Sequence, residues 1–145
     1  MDSLDLSCMR TALDEAGKAL LEGEVPVGAA LYRGSTLLWA DHNRRESLKD
    51  PTAHAEMLCL RRGAEKLGDW RLKDCTLYVT VEPCVMCAGA IGWSQMGRLV
   101  YGASDEKRGY QRYAPDALHP KTEVVSGVLE KEAAALMKDF FKGKR

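Results

Sequence analysis

A strand, a helix-length segment and a second strand, running from Cys75 to Gly102, constrain this chain more than anything else in its 145 residues. Leu77, Tyr78, Val79 and Thr80 give Cys75 to Val81 the β-branched and aromatic make-up of a strand. Pro83 suits the first position of a helix that runs to about Trp93, and Leu99 to Gly102 is strand-like again. Strands joined by a crossover of this length pair in parallel, so a parallel ladder covered by helices is expected at the centre of the fold.

The flanking segments extend that ladder. Leu6, Met9, Leu13, Ala16 and Leu20 recur at intervals of three and four, forming one stripe of an amphipathic helix that ends near Gly23. Val25 to Tyr32 and Thr36 to Asp41 are apolar runs on either side of the turn Arg33-Gly34-Ser35, which predicts an antiparallel hairpin. Asp50-Pro51-Thr52 supplies caps and a first-turn proline for a helix that continues to about Leu67 and stops at Gly68. Residues 103 to 120 carry no regular pattern, Glu123 to Ser126 reads as a last strand, and Leu129 to Phe141 reads as a closing helix with Leu129, Ala133, Leu136 and Phe140 inward. The connection at 103–120 is long enough to hold a crossover and make that last strand parallel. The expected fold is therefore one domain over residues 1–145, a three-layer α/β/α arrangement around a mixed five-stranded sheet. Ligands in such folds bind at the carboxyl ends of the parallel strands.

Composition narrows the functions open to such a fold. Lys plus Arg and Asp plus Glu number 21 each, so no global field marks a polyanionic partner, and any nucleic-acid contact requires a local basic face. The acidic start Met1-Asp2-Ser3-Leu4-Asp5 lacks the base of a secretory signal, and no apolar run reaches bilayer length. A cytoplasmic protein without membrane contact is expected. In that reducing compartment the five cysteines are expected to be buried or to bind metal rather than to pair.

Cys84-Val85-Met86-Cys87 spaces two thiols at i and i+3, on one face of the helix that follows Pro83. At a helix amino terminus the dipole and free N–H groups favour thiolate, the form a metal requires. By itself Cys-x-x-Cys leaves redox and structural roles open. His54-Ala55-Glu56 adds a nitrogen ligand and a carboxylate. In a regular helix residues two apart point roughly 200° from each other, so the pair converges only if His54 lies at the helix start, where Asp50-Pro51-Thr52 puts it.

Zinc fits this donor set, and a purely structural zinc site needs a fourth protein ligand. Cys59 lies five residues after His54 and well round the helix. Cys75 starts the strand whose far end carries the site, roughly 20 Å away at about 3.3 Å per residue. Both are expected to be small buried hydrophobes. His42 and His119 are read as loop residues and stay open as a fourth ligand. With one position free, zinc binds water and acidifies it toward hydroxide; two thiolates blunt that effect, so a base is needed, and Glu56 is the candidate. The competing role for Glu56 is a surface carboxylate that stabilises the helix dipole.

His-x-Glu together with Pro-Cys-x-x-Cys is the known signature of zinc-dependent base deaminases, TadA-derived enzymes among them. Gly23 to Ala29, Asp50 to Glu56, Leu77 to Ala90 and the closing Asp139-Phe140-Phe141 resemble the bacterial tRNA-specific adenosine deaminases, the TadA family, over nearly the whole chain. The resemblance implies a cytidine-deaminase-like fold, a homodimer, Zn2+ as cofactor, and a tRNA anticodon stem-loop as partner, whose wobble adenosine becomes inosine. It makes His54, Cys84 and Cys87 the zinc ligands. Glu56 becomes the proton shuttle between the attacking water, a ring nitrogen and the departing amine. It makes Asn43 the purine-reading residue, with Val27, Ala55 and Pro83 also at the substrate. Phe140, Phe141, Lys142, Lys144 and Arg145 match where the family's last helix meets RNA, a role suited to stacking and phosphate contact.

Two stretches depart from the pattern. Gly92-Trp93-Ser94-Gln95 has a bulky Trp where many members carry a small or hydrogen-bonding residue, and Lys107 to Tyr113 replaces an expected Ala-Gly-Ser with aromatics and cations. Interleaved Arg and Tyr is itself suited to RNA stacking. Two other readings remain: a deaminase of free bases or nucleosides such as guanine or cytosine, and a non-catalytic zinc-stabilised interaction domain.

Overall fold

The computed structural model describes residues 2–143. Its elements run α1 (Ser3–Leu21), β1 (Gly28–Arg33), β2 (Thr36–His42), α2 (Arg45–Leu48), α3 (Ala55–Leu67), β3 (Cys75–Val81), α4 (Val85–Trp93), β4 (Arg98–Ala103), α5 (Tyr110–Tyr113), β5 (Glu123–Val125) and α6 (Glu130–Lys142). The strands form one sheet in the order β2-β1-β3-β4-β5. β1 pairs antiparallel with both β2 and β3, whereas β3 with β4 and β4 with β5 are parallel. This is the mixed five-stranded sheet that the element pattern predicts, with the last strand parallel because residues 104 to 122 carry the chain back across.

Side chains alternate between two cores. Ala29 and Leu31 of β1, Leu77 and Val79 of β3 and Leu99 of β4 face α3 and α4, packing with Cys59, Leu60, Ala88 and Ile91. Ala30, Tyr32, Tyr78 and Val100 point the other way, onto Met9, Ala12 and Leu13 of α1 and Ala133 of α6. Burial on both faces explains why β1 and β3 read as continuous apolar runs. α1 lies so close on the sheet that a Cβ at Gly28 would run into the Ala12 carbonyl. Asp5 ties the start of α1 to the sheet: its buried carboxylate accepts the Tyr78 hydroxyl at 2.7 Å and both Arg98 terminal nitrogens at 3.0 Å.

Several boundaries move for local reasons. The first strand begins at Gly28 instead of Val25, because Val25 to Val27 form a tight turn, with the Val27 N–H donating to the Val25 carbonyl at 2.8 Å, and Pro26 has no N–H to give a ladder. His42 is the last residue of β2 and not on a loop. The single-turn helices α2 and α5 have no periodic signature in the sequence. α6 sits more loosely than its stripe suggests: Ala133 is buried, while Leu129, Leu136 and Phe140 are half-buried. No helix among the described residues is long and apolar enough to cross a membrane.

Candidate active site

β2, β3 and β4 all run in one direction, so the segments that leave their carboxyl ends meet at one edge of the sheet, joined there by the turn entering β1. These segments carry Asn43, Cys84 and Arg108 in turn. They enclose a cavity of about 510 Å³, walled by Val25, Val27, Val81 and Met137 and reaching His54, Glu56 and Cys84. The volume is that of a small-ligand site.

His54 is the N-cap of α3, with extended backbone at φ −75° and ψ 153°. The expectation placed it within the first turn; standing one residue earlier lets its ring converge with a carboxylate only two residues away. Cys84 holds the same place before α4, where φ is −72° and ψ 175°, and Pro83 precedes that helix instead of opening it. His54 Nδ1 lies 3.6 Å from Cys84 Sγ and 3.5 Å from Cys87 Sγ. A tetrahedral zinc, with sulfur at ~2.3 Å and nitrogen at ~2.0 Å, sets its S and N ligands roughly 3.5 Å apart. All three donor atoms lie within 4.8 Å of one another, a group able to hold a metal ion.

The three side chains of this trio compete for protons. Hydrogen bonding from Cys87 and then from His54 pulls the Cys84 thiol down to about 4. The Cys87 thiol, bonded to that sulfur and buried, is pushed far up. The hydrogen bond with Cys84, reinforced by the Glu56 carboxylate, raises the His54 imidazole against the effect of its burial. Two thiols and an imidazole competing for protons at contact distance are relieved when a dication replaces the protons. Glu56, in the first turn of α3 and 4% exposed, is raised to about 7 by burial. It is not the solvated helix-start carboxylate of the competing reading.

The candidates for a fourth ligand go elsewhere. Cys59 donates to the Trp39 carbonyl at 3.7 Å, and Cys75 is buried in the core at the far end of β3. His42, only 2% exposed, has Nδ1 2.8 Å from Glu15 and Nε2 3.0 Å from Glu22. His119 Nδ1 accepts the Lys121 N–H. Among the described residues the trio therefore supplies three donors, and none of these four side chains joins it.

Asn43 lines the cavity and is buried, and its Oδ1 accepts the Ala55 N–H at 2.8 Å. Ala55 opens α3, so this bond fastens the His54–Glu56 segment to the end of β2 and leaves the Asn43 amide NH2 for a ligand. Val27 is in the cavity wall. Ala55 and Pro83 are buried and are not among the lining residues; the Pro83 carbonyl accepts the Tyr110 N–H at 2.9 Å. Phe140 and Phe141 stand outside the cavity. Their rings meet edge to face with centroids 5.2 Å apart, and Phe141, 57% exposed, borders an adjoining groove of about 720 Å³. Lys142 ends α6, while Lys144 and Arg145 lie outside the described residues.

Two buried carboxylates were not foreseen. Glu24 accepts the backbone N–H groups of Glu46 and Ser47 at 3.1 and 2.8 Å and so anchors α2. Glu82 accepts those of Asp105 and Gln111, both at 3.1 Å, and anchors the loop leaving β4. Each adjoins a motif, Gly23 to Gly28 and Pro83 to Cys87, but their partners are backbone groups 22 to 29 residues away, which sequence spacing does not display.

The chain matches the family of MafB19-like deaminases over residues 4–145. It is 43% identical over 139 residues to the tRNA-specific adenosine deaminase of Bacillus subtilis (strain 168), covering 92% of this chain and 86% of that one. It is 42% identical over 160 residues to the chloroplastic tRNA(adenine(34)) deaminase of Arabidopsis thaliana, spanning only 12% of that much longer protein. A solved structure from studies of A-to-I editing by tRNA deaminases at the wobble position of transfer RNA superposes with TM-score 0.84 at 40% identity, covering 90% of this chain and 98% of that one. The guanine deaminase of Nitrosomonas europaea superposes with TM-score 0.79 at 26% identity, covering 93% and 83%.

Proposed function

The chain belongs to the MafB19-like deaminase family, and from that premise and the cavity's donor set we propose that it is a zinc-dependent hydrolytic deaminase that converts adenosine to inosine at the wobble position of a tRNA anticodon. Residues 1–145 act as one catalytic domain, in the cytoplasm. The observation that carries this reading is the spacing of His54, Cys84 and Cys87, whose donor distances fit zinc, beside Glu56 in a cavity of nucleobase size.

His54 Nδ1 and the two cysteine sulfurs would hold the ion. Zinc bound there would supply a Lewis acid that makes a neighbouring water easier to deprotonate. Val25, Val27, Val81 and Met137 give the purine ring apolar walls, and the Asn43 amide donates to an acceptor on its edge. Glu56 takes a proton from the attacking water and passes it to the ring nitrogen beside the amino-bearing carbon. It then helps protonate the departing amine, so that adenosine and water become inosine and ammonia. Phe140, Phe141 and Lys142 meet the RNA outside the cavity.

Homodimerisation is part of the proposal. α3 and α4 present a shallow groove of about 670 Å³ lined by Met57, Leu60, Ala64, Trp70, Ala90 and Trp93, and Trp93 is 83% exposed. An apolar face of this kind on a soluble chain marks a contact surface, and Trp93, one of the departures from the family pattern, would then be an interface residue.

The likeness to a guanine deaminase favours a second reading, hydrolysis of a free base at the same centre. Incubating the protein with unmodified tRNA bearing adenosine at the wobble position, and separately with guanine, adenosine and cytosine, distinguishes the two. Inosine in the tRNA is expected, and ammonia from guanine alone would replace the first reading with the second.

A further inference from the structure

Arg45 and Arg108 both line the cavity, and neither guanidinium has a hydrogen bond or ion pair among the described residues. Two other arginines behave differently: Arg44 donates from Nε to Asp41 at 2.7 Å, and Arg98, at the far end of β4, is bound to Asp5. Among the described residues no acid of the cavity wall pairs directly with either guanidinium. Both oxygens of Glu82 accept backbone N–H groups, and Asp105 Oδ1 accepts those of Lys107 and Arg108 at 3.1 and 3.0 Å.

The two arginines are also held by matching supports. Arg45 begins α2, which the buried Glu24 fastens through two backbone N–H groups, and Arg108 sits in the loop that the buried Glu82 fastens through two more. α2 follows β2 and the Arg108 loop follows β4, strands on opposite sides of β3, whose end leads directly to Cys84. One cation therefore stands on each flank of the metal-holding trio. Arg108 additionally borders the groove that runs on toward Phe141. A free base carries nothing for two such cations to hold, whereas a nucleotide within a strand carries a phosphate on each side.

We propose that Arg45 and Arg108 form a two-sided clamp for the phosphates that flank the target nucleotide, with Glu24 and Glu82 as the positioning residues that fix its jaws, so that the cavity selects a base within a polynucleotide over a free one. This rests on the RNA-deaminase reading above and adds its basis for substrate selection.

The test uses the zinc-loaded protein with an anticodon stem-loop RNA bearing adenosine at the wobble position, and adenosine as the phosphate-free comparison. Arg45→Gln and Arg108→Gln are each expected to raise KM for the RNA roughly tenfold, the worth of one charge-assisted hydrogen bond. The ratio of kcat/KM for RNA over that for adenosine falls correspondingly. Each lost phosphate contact lowers the steepness of log binding constant against log salt by about 0.7 for a single strand. Arg45→Lys and Arg108→Lys restore that slope, because a point charge suffices for counterion release. Glu24→Gln and Glu82→Gln, which keep the side-chain shape but weaken the backbone anchors, raise KM for the RNA with less change in slope. A wild-type protein that edits the RNA while the Gln variants keep its KM and salt slope refutes the clamp alone. Equal losses on RNA and adenosine refute it as well. A wild-type protein that ignores the RNA and deaminates only a free base refutes the function on which the clamp depends.

Discussion

Replacing Asn43 in two ways separates its work in the fold from its work on substrate. Its Oδ1 accepts the N–H of Ala55, the first residue of α3, at 2.8 Å in a buried setting. That N–H has no partner within its own helix. Asn43→Ala leaves it unsatisfied, which costs about 1–3 kcal/mol and lowers Tm by roughly 3–10 °C for a domain of this size. Asn43→Asp keeps an oxygen in the same place, made a stronger acceptor by its charge at a helix amino terminus, and is expected to melt within about 1 kcal/mol of wild type. It nevertheless replaces the amide donor with an acceptor facing the purine. The expected loss is a hydrogen bond worth about 1–3 kcal/mol, or roughly 5- to 150-fold in kcat/KM. Thermal melts and steady-state kinetics on the stem-loop RNA read the two effects separately. An Asp variant as unstable as the Ala variant would refute the anchoring argument, and one with wild-type kcat/KM would remove Asn43 from substrate recognition.

Three further outcomes follow from other parts of the molecule. Glu56→Ala is expected to retain its metal, measured by atomic absorption, while turnover falls by about 100- to 10,000-fold; near-normal turnover would remove Glu56 from the chemistry. Hydrogen bonding from Arg98 holds the Asp5 carboxyl below its ordinary range, so its contribution to stability is fully present above the unfolded value near ~3.9 and is lost as pH falls through the lower folded value. Asp5→Asn should flatten that part of the acid limb in urea melts, and Asp5→Ala, which strands the Arg98 and Tyr78 donors, should cost about 3–5 kcal/mol at neutral pH; wild-type melts at both pH extremes would contradict this. Trp93→Glu is expected to shift the protein from dimer to monomer in sedimentation, and an unchanged mass would place the contact surface elsewhere.

The layers and the sheet were legible because both rest on periodicity. Ala29 and Leu31 against Ala30 and Tyr32, or Leu77 and Val79 against Tyr78, alternate between two cores, and continuous apolar runs are the trace of that double burial. The trio was legible because each half of its motif lies at the start of a helix, where residues at unusual spacings can converge. What the sequence hid depends on distant partners. α2 and α5 are single turns whose segments are fastened by Glu24 and Glu82 across tens of residues. His42 passes for a loop residue until its ring is found between Glu15 and Glu22. Arg45 and Arg108, lying in stretches without pattern, become neighbours of the site only through strand order.

An isotope experiment on the zinc-loaded protein tests the centre most directly. Reaction of the stem-loop RNA in water enriched in oxygen-18, followed by digestion and mass spectrometry, is predicted to yield inosine carrying heavy oxygen at the carbon that lost its amine, with one ammonia released per inosine. Inosine without the label, or no inosine from protein whose three donors are fully loaded with zinc, would contradict the account.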